Sequence, residues 1–550
     1  MIKQIYQFLF RVVRPCLFWL RCEFIGHHLR RVDLKSIKKA ISSTAGSPKR
    51  FLIATNIGSN FGAIKIESLI AVALAEQGFE PTVTLCDGVL PACTACSSEH
   101  FKNLETFVSE GPSAATCKSC FSGAKKHFEK MGATVVRFSD LLRTNSNGVC
   151  TEDELSKAAS AGAVRFLKRN LDKTSELDDR VFKRFLAAAR ITDRAFDSLF
   201  SESKFEQVLI NHGIYVPQGI VLCSAKRAGA SIHTWTLGSR KLTVTHASGD
   251  TYHELMKVDD SWKNVEITSS RSVELTEYLR SKFDGNNDTI SFAPRARTRQ
   301  QKKDLETLIK KIRDNKNRRI VAIYPNVVWD ASSHFSGGAF DDIEDWLLKT
   351  VRFLTQRDCL TIVRAHPAES LGLVKSNEPV EKIINDAFQV DTENLIIIPP
   401  ESALSSYWLA KESDFCITLA SKIAIDLSAI GIPTIVAGGG WVRDKGITTD
   451  PPSEAEYFEI LENWVLNGAR KMSDGELVAA RKYAWWVYFD RMRTVDSIRV
   501  KKSYPHFAVK KNLIDEHGEL KDARLSQLCR EWTSLDGQSQ PSISSQPRKL

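Results

Sequence analysis

The chain has 550 residues, 43% hydrophobic and 26% charged, the balance of a soluble globular protein with two to four domains. Its net charge is +10, but eleven Lys and Arg against Glu23 and Asp33 place +9 within residues 1–50. The other 500 residues are therefore close to neutral. A distributed nucleic-acid-binding surface is excluded, and no nucleic-acid partner is expected.

The first segment, MIKQIYQFLFRVVRPCLFWLRCEF, mixes aromatic and aliphatic residues with Lys3, Arg11, Arg14 and Arg21. No run reaches the roughly 18 uncharged apolar residues of a spanning helix, and no small-residue cleavage site follows. Residues 1–49 are expected to form a basic amphipathic segment and linker that lies on an anionic membrane surface. That reading places the protein in the cytoplasm, peripheral at the inner face of the membrane. The same helix packed on its own domain is the alternative.

From residue 50 the pattern alternates. RFLIATNIG (50–58) is a buried strand, and SNFGAIKIESLIAVALAEQG (59–78) a helix capped by Ser59 or Asn60 and stopped by Gly78. PTVTLCDG (81–88) is the next strand, which completes the strand–helix–strand unit of a parallel sheet. A Cys-rich insertion over 91–122 interrupts, after which a helix (124–132), a strand (133–140) and a mostly helical stretch (151–205) follow. FEQVLINHG is a strand with a polar tip, QGIVLCSAKRAGA a helix and SIHTWTLG a strand.

The insertion carries Cys93, Cys96, Cys117 and Cys120, two Cys-x-x-Cys pairs with 20 residues between them, flanked by Cys86 and Cys150. Twelve cysteines in a chain without an export signal favour metal ligation over disulfides. The spacing fits a structural four-thiolate zinc site that closes a loop. An iron–sulfur cluster, or no metal, are the alternatives.

After a polar boundary at 287–304 a second alternating series begins, from RRIVAIYPN through LTIVRAHP and DFCITLASKIAIDLSAIG to PTIVAGG. An aromatic-rich helix, ELVAARKYAWWVYFDRMR, follows within 470–500, and residues 534–550 form a polar tail expected to be disordered. The expected class is α/β: two Rossmann-like domains, at 50–290 and 305–465, that face a cleft. Strand ends face one another across such a cleft, which makes it the default ligand site.

Within the second series, His366 ends a strand before Pro367, and Ser421 opens a helix whose free N–H groups suit an anion. Asp426 lies five residues further on, and YPNVVWDASSHFSGG offers Asn326 and Asp330 beside a glycine pair. It is not a Walker motif, because no Gly-Lys-Ser/Thr closes it.

This order resembles the capsule polysaccharide biosynthesis glycosyltransferases: Asn-x-x-x-Asp after a strand, His-Pro-x-Glu after the next, then Asp-x-x-Ile-Thr, Ser, Asp and Gly-Ile-Pro before a Gly-rich turn. The resemblance covers residues 315–495 well and the first half less specifically. It implies the GT-B fold, with an N-terminal acceptor domain and a C-terminal nucleotide-sugar domain. His366 and Ser421 would hold donor phosphates, with Asn326 and Asp330 lining that site and Asp426 on the donor sugar or ribose. The chain departs from the pattern at Ala420 and Lys422.

The implied activity is transfer of a sugar from a nucleotide sugar to a lipid-linked or membrane-associated saccharide acceptor, with inversion. Such transfer needs a base on the acceptor side. Asp87 and His212, both at strand tips, are the candidates, with Asn60 and Glu67 behind them. No Asp-x-Asp motif stands in a suitable context, so metal-independent chemistry is expected. Teichoic-acid-type glycerophosphate transfer and a non-catalytic role in polysaccharide assembly or export are the alternatives.

Overall fold

The computed structural model describes residues 49–144, 146–283, 288, 298–330, 337–371, 375–388, 393–500, 507–510, 513–515 and 519–534. The expected membrane-associating segment and the polar tail lie outside them, apart from Lys49 and Ser534, as does part of the glycine-pair loop, 331–336. No helix among the described residues is long and apolar enough to cross a membrane.

The protein is mixed α/β, built on two mainly parallel sheets. The first contains β1 (Lys49–Asn56), β2 (Phe79–Leu85), β3 (Thr134–Arg137), β4 (Gln207–Asn211), β5 (Ser231–Leu237) and β6 (Thr243–Ser248). The second contains β7 (Arg319–Ile323), β8 (Cys359–Arg364), β9 (Leu395–Ile398), β10 (Phe415–Thr418) and β11 (Thr434–Val436). Its order is β11-β10-β7-β8-β9, with every pair parallel. The first sheet runs β12-β6-β5-β4-β1-β2-β3, where β12 is Met492–Thr494.

The central strands are apolar throughout because helices cover both faces. Phe51, Leu52, Ile53 and Ala54 of β1 are all fully buried. Pro81 sits within β2 without breaking a ladder, because β3 begins to pair only at Thr82. The helix Phe61–Ala75 starts where Asn60 accepts the Ala63 N–H at 3.1 Å, and it buries twelve of its 15 residues beneath the sheet.

Three local expectations change. The helix expected over 124–132 spans Ala114–Lys130, so Cys117 and Cys120 lie on helical turns and not in a loop. The helix expected from Ser421 starts two residues later, as Ile423–Ala429. The aromatic-rich helix ends at Trp485, passes through one π-helical turn, Trp486–Asp490, and then forms β12. β12 pairs antiparallel with β6, so the chain returns to the first sheet after it has built the second. The helix Ala523–Thr533 also returns, and its Trp532 and Leu528 join the core around the Phe61–Ala75 helix.

One buried group ties these parts together. Asp426 accepts Lys282 Nζ at 2.8 and 3.0 Å, Tyr488 Oη at 2.6 Å and Tyr407 Oη at 2.7 Å. Lys282 ends the helix Ser269–Phe283, Tyr488 belongs to the π-helical turn, and Tyr407 lies on the helix Ser406–Glu412. Burial opposes the charge on Lys282, yet Asp426 and the neighbouring tyrosines hold its pKa well above the usual lysine value. Replacing Lys282 with Met should cost about 3–5 kcal/mol of stability, because it leaves a buried carboxylate unpaired. The double change Lys282→Met, Asp426→Asn should recover part of that loss in denaturant titrations. Equal loss in both proteins would refute the pairing.

Candidate active site

The turn that follows β4 carries His212. His212 and Gly213 both adopt left-handed backbone, at φ 63° and 72°, a conformation that costs a non-glycine residue energy and clusters at functional positions. The turn is held where the His212 N–H donates to Trp235 O at 2.9 Å. The ring is fixed on both sides, with Nδ1 3.0 Å from Tyr252 Oη and Nε2 3.1 Å from Thr236 Oγ1. Burial, then the charges of Arg165 and Lys422, push its pKa down to about 3. The imidazole is therefore neutral.

Arg165 lies on the helix Glu152–Leu167 and stacks its guanidinium over the Tyr215 ring at 4.9 Å. Burial raises the Tyr215 phenol to about 12, opposed by Arg165. From the second sheet, Asp330 and Lys422 approach the same charges. Both are solvent-exposed, yet burial is the leading cause that raises the Asp330 pKa and lowers that of Lys422. We term this water-exposed place amid dense surrounding protein the recess. Asp330 and Lys422 then offset each other, and Arg165 adds to the charge opposite Asp330.

The loop that carries Lys422 is set by the ends of β7 and β10. Asn326 Oδ1 accepts the Ala420 N–H at 3.3 Å, and Thr418 Oγ1 accepts the Ser421 N–H at 3.2 Å. The Thr418 hydroxyl donates in turn to Tyr324 O at 2.8 Å. His366 follows β8, and its Nδ1 accepts the Ala368 N–H at 3.1 Å, which leaves the proton of a neutral ring on Nε2. Burial, then Arg364 and Lys422, lower its pKa to about 4.

His212, Asp330, His366 and Lys422 thus share one electrostatic neighbourhood, with Ser421 in the same loop. Asp87 stands apart from it, and Asp426 takes part only through its charge, as one of the acids that act on Lys422. Asp426 is 2% exposed, with both oxygens engaged by Lys282 and the two tyrosines. Asp87 accepts the Ser139 N–H at 3.1 Å and the Ser139 hydroxyl at 2.5 Å, which anchors the chain after β3. The sequence reading missed Arg165, Tyr215 and Tyr252 and noted Lys422 only as a departure. One signal was available: Arg165 falls four residues after Ala161 and seven after Ala158, in line with buried residues of its helix although itself only half-buried.

Glu67 lies behind the site, fully buried, and accepts from Thr55 Oγ1 at 2.6 Å and Trp235 Nε1 at 3.3 Å. Burial raises its pKa to about 7.

The insertion gathers its thiols. Cys96 N donates to Cys93 O at 2.9 Å in a tight turn, and Gly88 N donates to Cys86 Sγ at 3.4 Å. Burial, then the neighbouring thiols, raise Cys117 and Cys120 to about 12, and Cys93 and Cys86 are among those neighbours. All four Cys-x-x-Cys thiols are free. Among the described residues, a set of three ligand atoms within 4.8 Å of one another occurs instead at Cys150, Glu154 and Cys223. There Arg227 already donates to Cys223 Sγ at 2.6 Å and to Glu154 Oε2 at 2.7 Å.

No family model matches the sequence, and no curated protein matches it. Solved structures to which the chain is similar include two of KpsC from Thermosulfurimonas dismutans. The beta Kdo 2,4 transferase is 12% identical, with 53% of this chain and 82% of that one covered at a TM-score of 0.33. The beta Kdo 2,7 transferase is 12% identical, with 62% and 89% covered at a TM-score of 0.30. The S. aureus MnaA–UDP co-structure is 11% identical, with 80% and 92% covered at a TM-score of 0.28. Likeness at this level is broad, and the functional reading rests on the residues of this chain.

An acid whose pKa is raised on folding gives stability that is full below its unfolded value and is lost as pH rises through its folded value. For Glu67 the window runs from pH 4.5 to about 7. Across it the native protein should lose up to about 3 kcal/mol relative to Glu67→Gln. Parallel pH profiles of the two proteins in urea would contradict this.

Proposed function

We propose that the protein is a glycosyltransferase that moves a sugar from a nucleotide-sugar donor onto a saccharide acceptor, with the domain division at 50–290 and 305–465 and the site in the cleft between them. One observation carries the reading. Arg165 from the first half and Lys422 from the second act together on neutral His212, and Lys422 acts with Arg364 on neutral His366, with Asp330 as a nearby counter-charge. Cations contributed by both halves of the chain suit a donor phosphate.

In this reading Lys422, Ser421 and the His366 Nε2–H hold the donor phosphates, and Asn326 fixes the loop that presents them. The helix Ile423–Ala429 has only seven residues, so charge and hydroxyl contacts serve here in place of a long helix dipole. Arg165 and Lys422 stabilise the charge that develops on the leaving phosphate, the part played in other enzymes by a divalent cation. Asp426 acts indirectly, through Lys282 and the two tyrosines, by holding its helix in place.

His212 serves as the base, since it belongs to this group of charges and Asp87 does not. Both its nitrogens are engaged by Tyr252 and Thr236, so the acceptor hydroxyl displaces one of these hydroxyls or passes its proton through it. The low basicity of His212 is partly a product of Arg165 and Lys422. A bound phosphate offsets both, so donor binding raises the basicity of His212 just as the acceptor hydroxyl needs a base. Transfer then proceeds with inversion. The basic segment 1–49 supports a membrane-associated acceptor and a peripheral position on the cytoplasmic face. A CDP-glycerol donor for glycerophosphate transfer would use the same phosphate contacts, and so would a non-catalytic binder.

Cys93, Cys96, Cys117 and Cys120 form a structural zinc site, with Cys86 beside them. The Cys-x-x-Cys spacing suits a tetrahedral thiolate site; no three of these sulfurs lie within 4.8 Å of one another, so metal binding would draw them together and lower the raised thiol pKa values. The zinc closes the insertion after β2 and takes no part in transfer.

UDP- and CMP-sugars and CDP-glycerol should be screened for thermal stabilisation and turnover. A nucleotide sugar should stabilise the protein and be consumed. Arg165→Met and Lys422→Met should each weaken its binding about tenfold or more. Stabilisation by CDP-glycerol alone would replace the reading with glycerophosphate transfer, and binding without turnover would make the protein a non-catalytic component. Elemental analysis should find about one zinc per chain, lost together with stability in Cys93→Ser, Cys96→Ser, while nucleotide binding persists.

A further inference from the structure

A cavity of about 410 Å³ lies at the edge of the first sheet, apart from the recess around His212. Its wall carries His246, Arg271, Arg491 and Arg493, with the carboxylates of Asp490 and Glu531. His246 is the direct partner of Trp235 across the antiparallel pair of β5 and β6, so the two side chains share a sheet face. Thr236, which holds His212, faces the other way. His246 also meets Trp532 edge-on at 6.2 Å, in the layer beneath the sheet.

His246 is 7% exposed, and no protein atom meets either ring nitrogen at hydrogen-bond distance, while the Asp490 backbone acts on the ring from further off. The buried Nε atoms of Arg491 and Arg493 are also unmet. An orphaned buried polar atom costs about 1–3 kcal/mol, and here four belong to three residues of one cavity wall. The guanidiniums are already fixed in place. Arg491 pairs with Asp259 and lies over Trp486 at 4.7 Å, while Arg493 pairs with Glu531 at 3.2 Å. Arg271 lies over Trp485 at 5.2 Å and donates to Glu266 O at 2.9 Å. The π-helical turn Trp486–Asp490 leads straight into Arg491, and such turns recur at functional sites.

The ligand class follows from the charges. Three guanidiniums stand against Asp259, Asp490 and Glu531, so a bare anion gains little net attraction. A ligand with an anionic group for the arginine and imidazole donors, and hydroxyls for the two lining carboxylates, satisfies both sides. The volume suits a small molecule and exceeds the need of a single ion. The geometry points to a second binding site in this cavity, for an anionic sugar such as a sugar acid or sugar phosphate, recognised by His246, Arg491 and Arg493. The site is independent of the transfer reaction proposed for the recess.

The test measures binding of glucuronate, glucose 1-phosphate, inorganic phosphate and glucose to the full chain by calorimetry, with His246→Phe and Arg493→Met as variants. At least one of the two anionic sugars should bind, and which one does identifies the anionic group. Phosphate and glucose should bind at least about tenfold more weakly. His246→Phe fills the same space without unmet nitrogens, so its unliganded melting temperature should equal or exceed that of the native protein. Its affinity for the anionic sugar should fall about tenfold or more. Arg493, at 40% side-chain exposure, gives a second variant that does not depend on the buried ring. UDP-sugar stabilisation should be unchanged in both variants. The proposal is overturned if neither anionic sugar binds, if inorganic phosphate binds as tightly as they do, or if both variants retain native affinity.

Discussion

Everything that places the recess depends on a carboxylate with no access to water. Asp426 sits at the start of the short helix Ile423–Ala429 and draws a lysine and two tyrosines from three other helices onto itself. A buried ion pair of this kind is weak evidence for stability, because desolvation consumes much of the Coulombic gain. Its value is geometric. With Lys282, Tyr407 and Tyr488 satisfied by one acid, the helix that follows Lys422 has one available position. Lys422 therefore meets the charges contributed by the first half at a fixed place.

The recess shows the opposite arrangement. Arg165, Lys422, His212 and His366 are held by ring stacking, hydroxyls and backbone amides, and Asp330 leads the acids that act on the cations. Two neutral histidines beside two cations form an unfinished electrostatic unit. Low local dielectric makes such a unit receptive to an anion and unresponsive to water. Asp426 and the recess lie within one turn of each other in sequence, one fully matched and the other left open.

Much of the fold was legible in the sequence. Parallel strands buried on both faces read as unbroken apolar runs, and that is why β4, β7 and β10 fall within the expected spans and β1 and β8 start one residue before theirs. Their ends delivered Asn326, His366 and Ser421 directly. The less legible parts depend on contacts across long sequence distances. β12 has three residues, Met-Arg-Thr, and forms only because β6 offers an edge. Nothing local announces that Lys282 belongs to Asp426, 144 residues away. Asp87 looked catalytic because it ends a strand before a glycine, but only tertiary structure reveals Ser139 as its partner. Arg165 escaped notice because it sits in the helical stretch between β3 and β4, where alternation of strands and helices gives no guidance.

The return of the chain through β12 and the helix Ala523–Thr533 has a consequence for synthesis. The first sheet and its covering layer are discontinuous in sequence, with the whole of the second sheet laid down between their two parts. As the chain leaves the ribosome, the outer edge of β6 and the underside of the Phe61–Ala75 helix stay uncovered until residues beyond 490 arrive. Domains usually fold in order from the N-terminus, but here the earlier half waits for the later one. An open strand edge invites pairing with other chains, so the nascent protein has a long interval in which its first half needs shelter. A chain cut short before Met492 would keep its second sheet intact and leave its first one open.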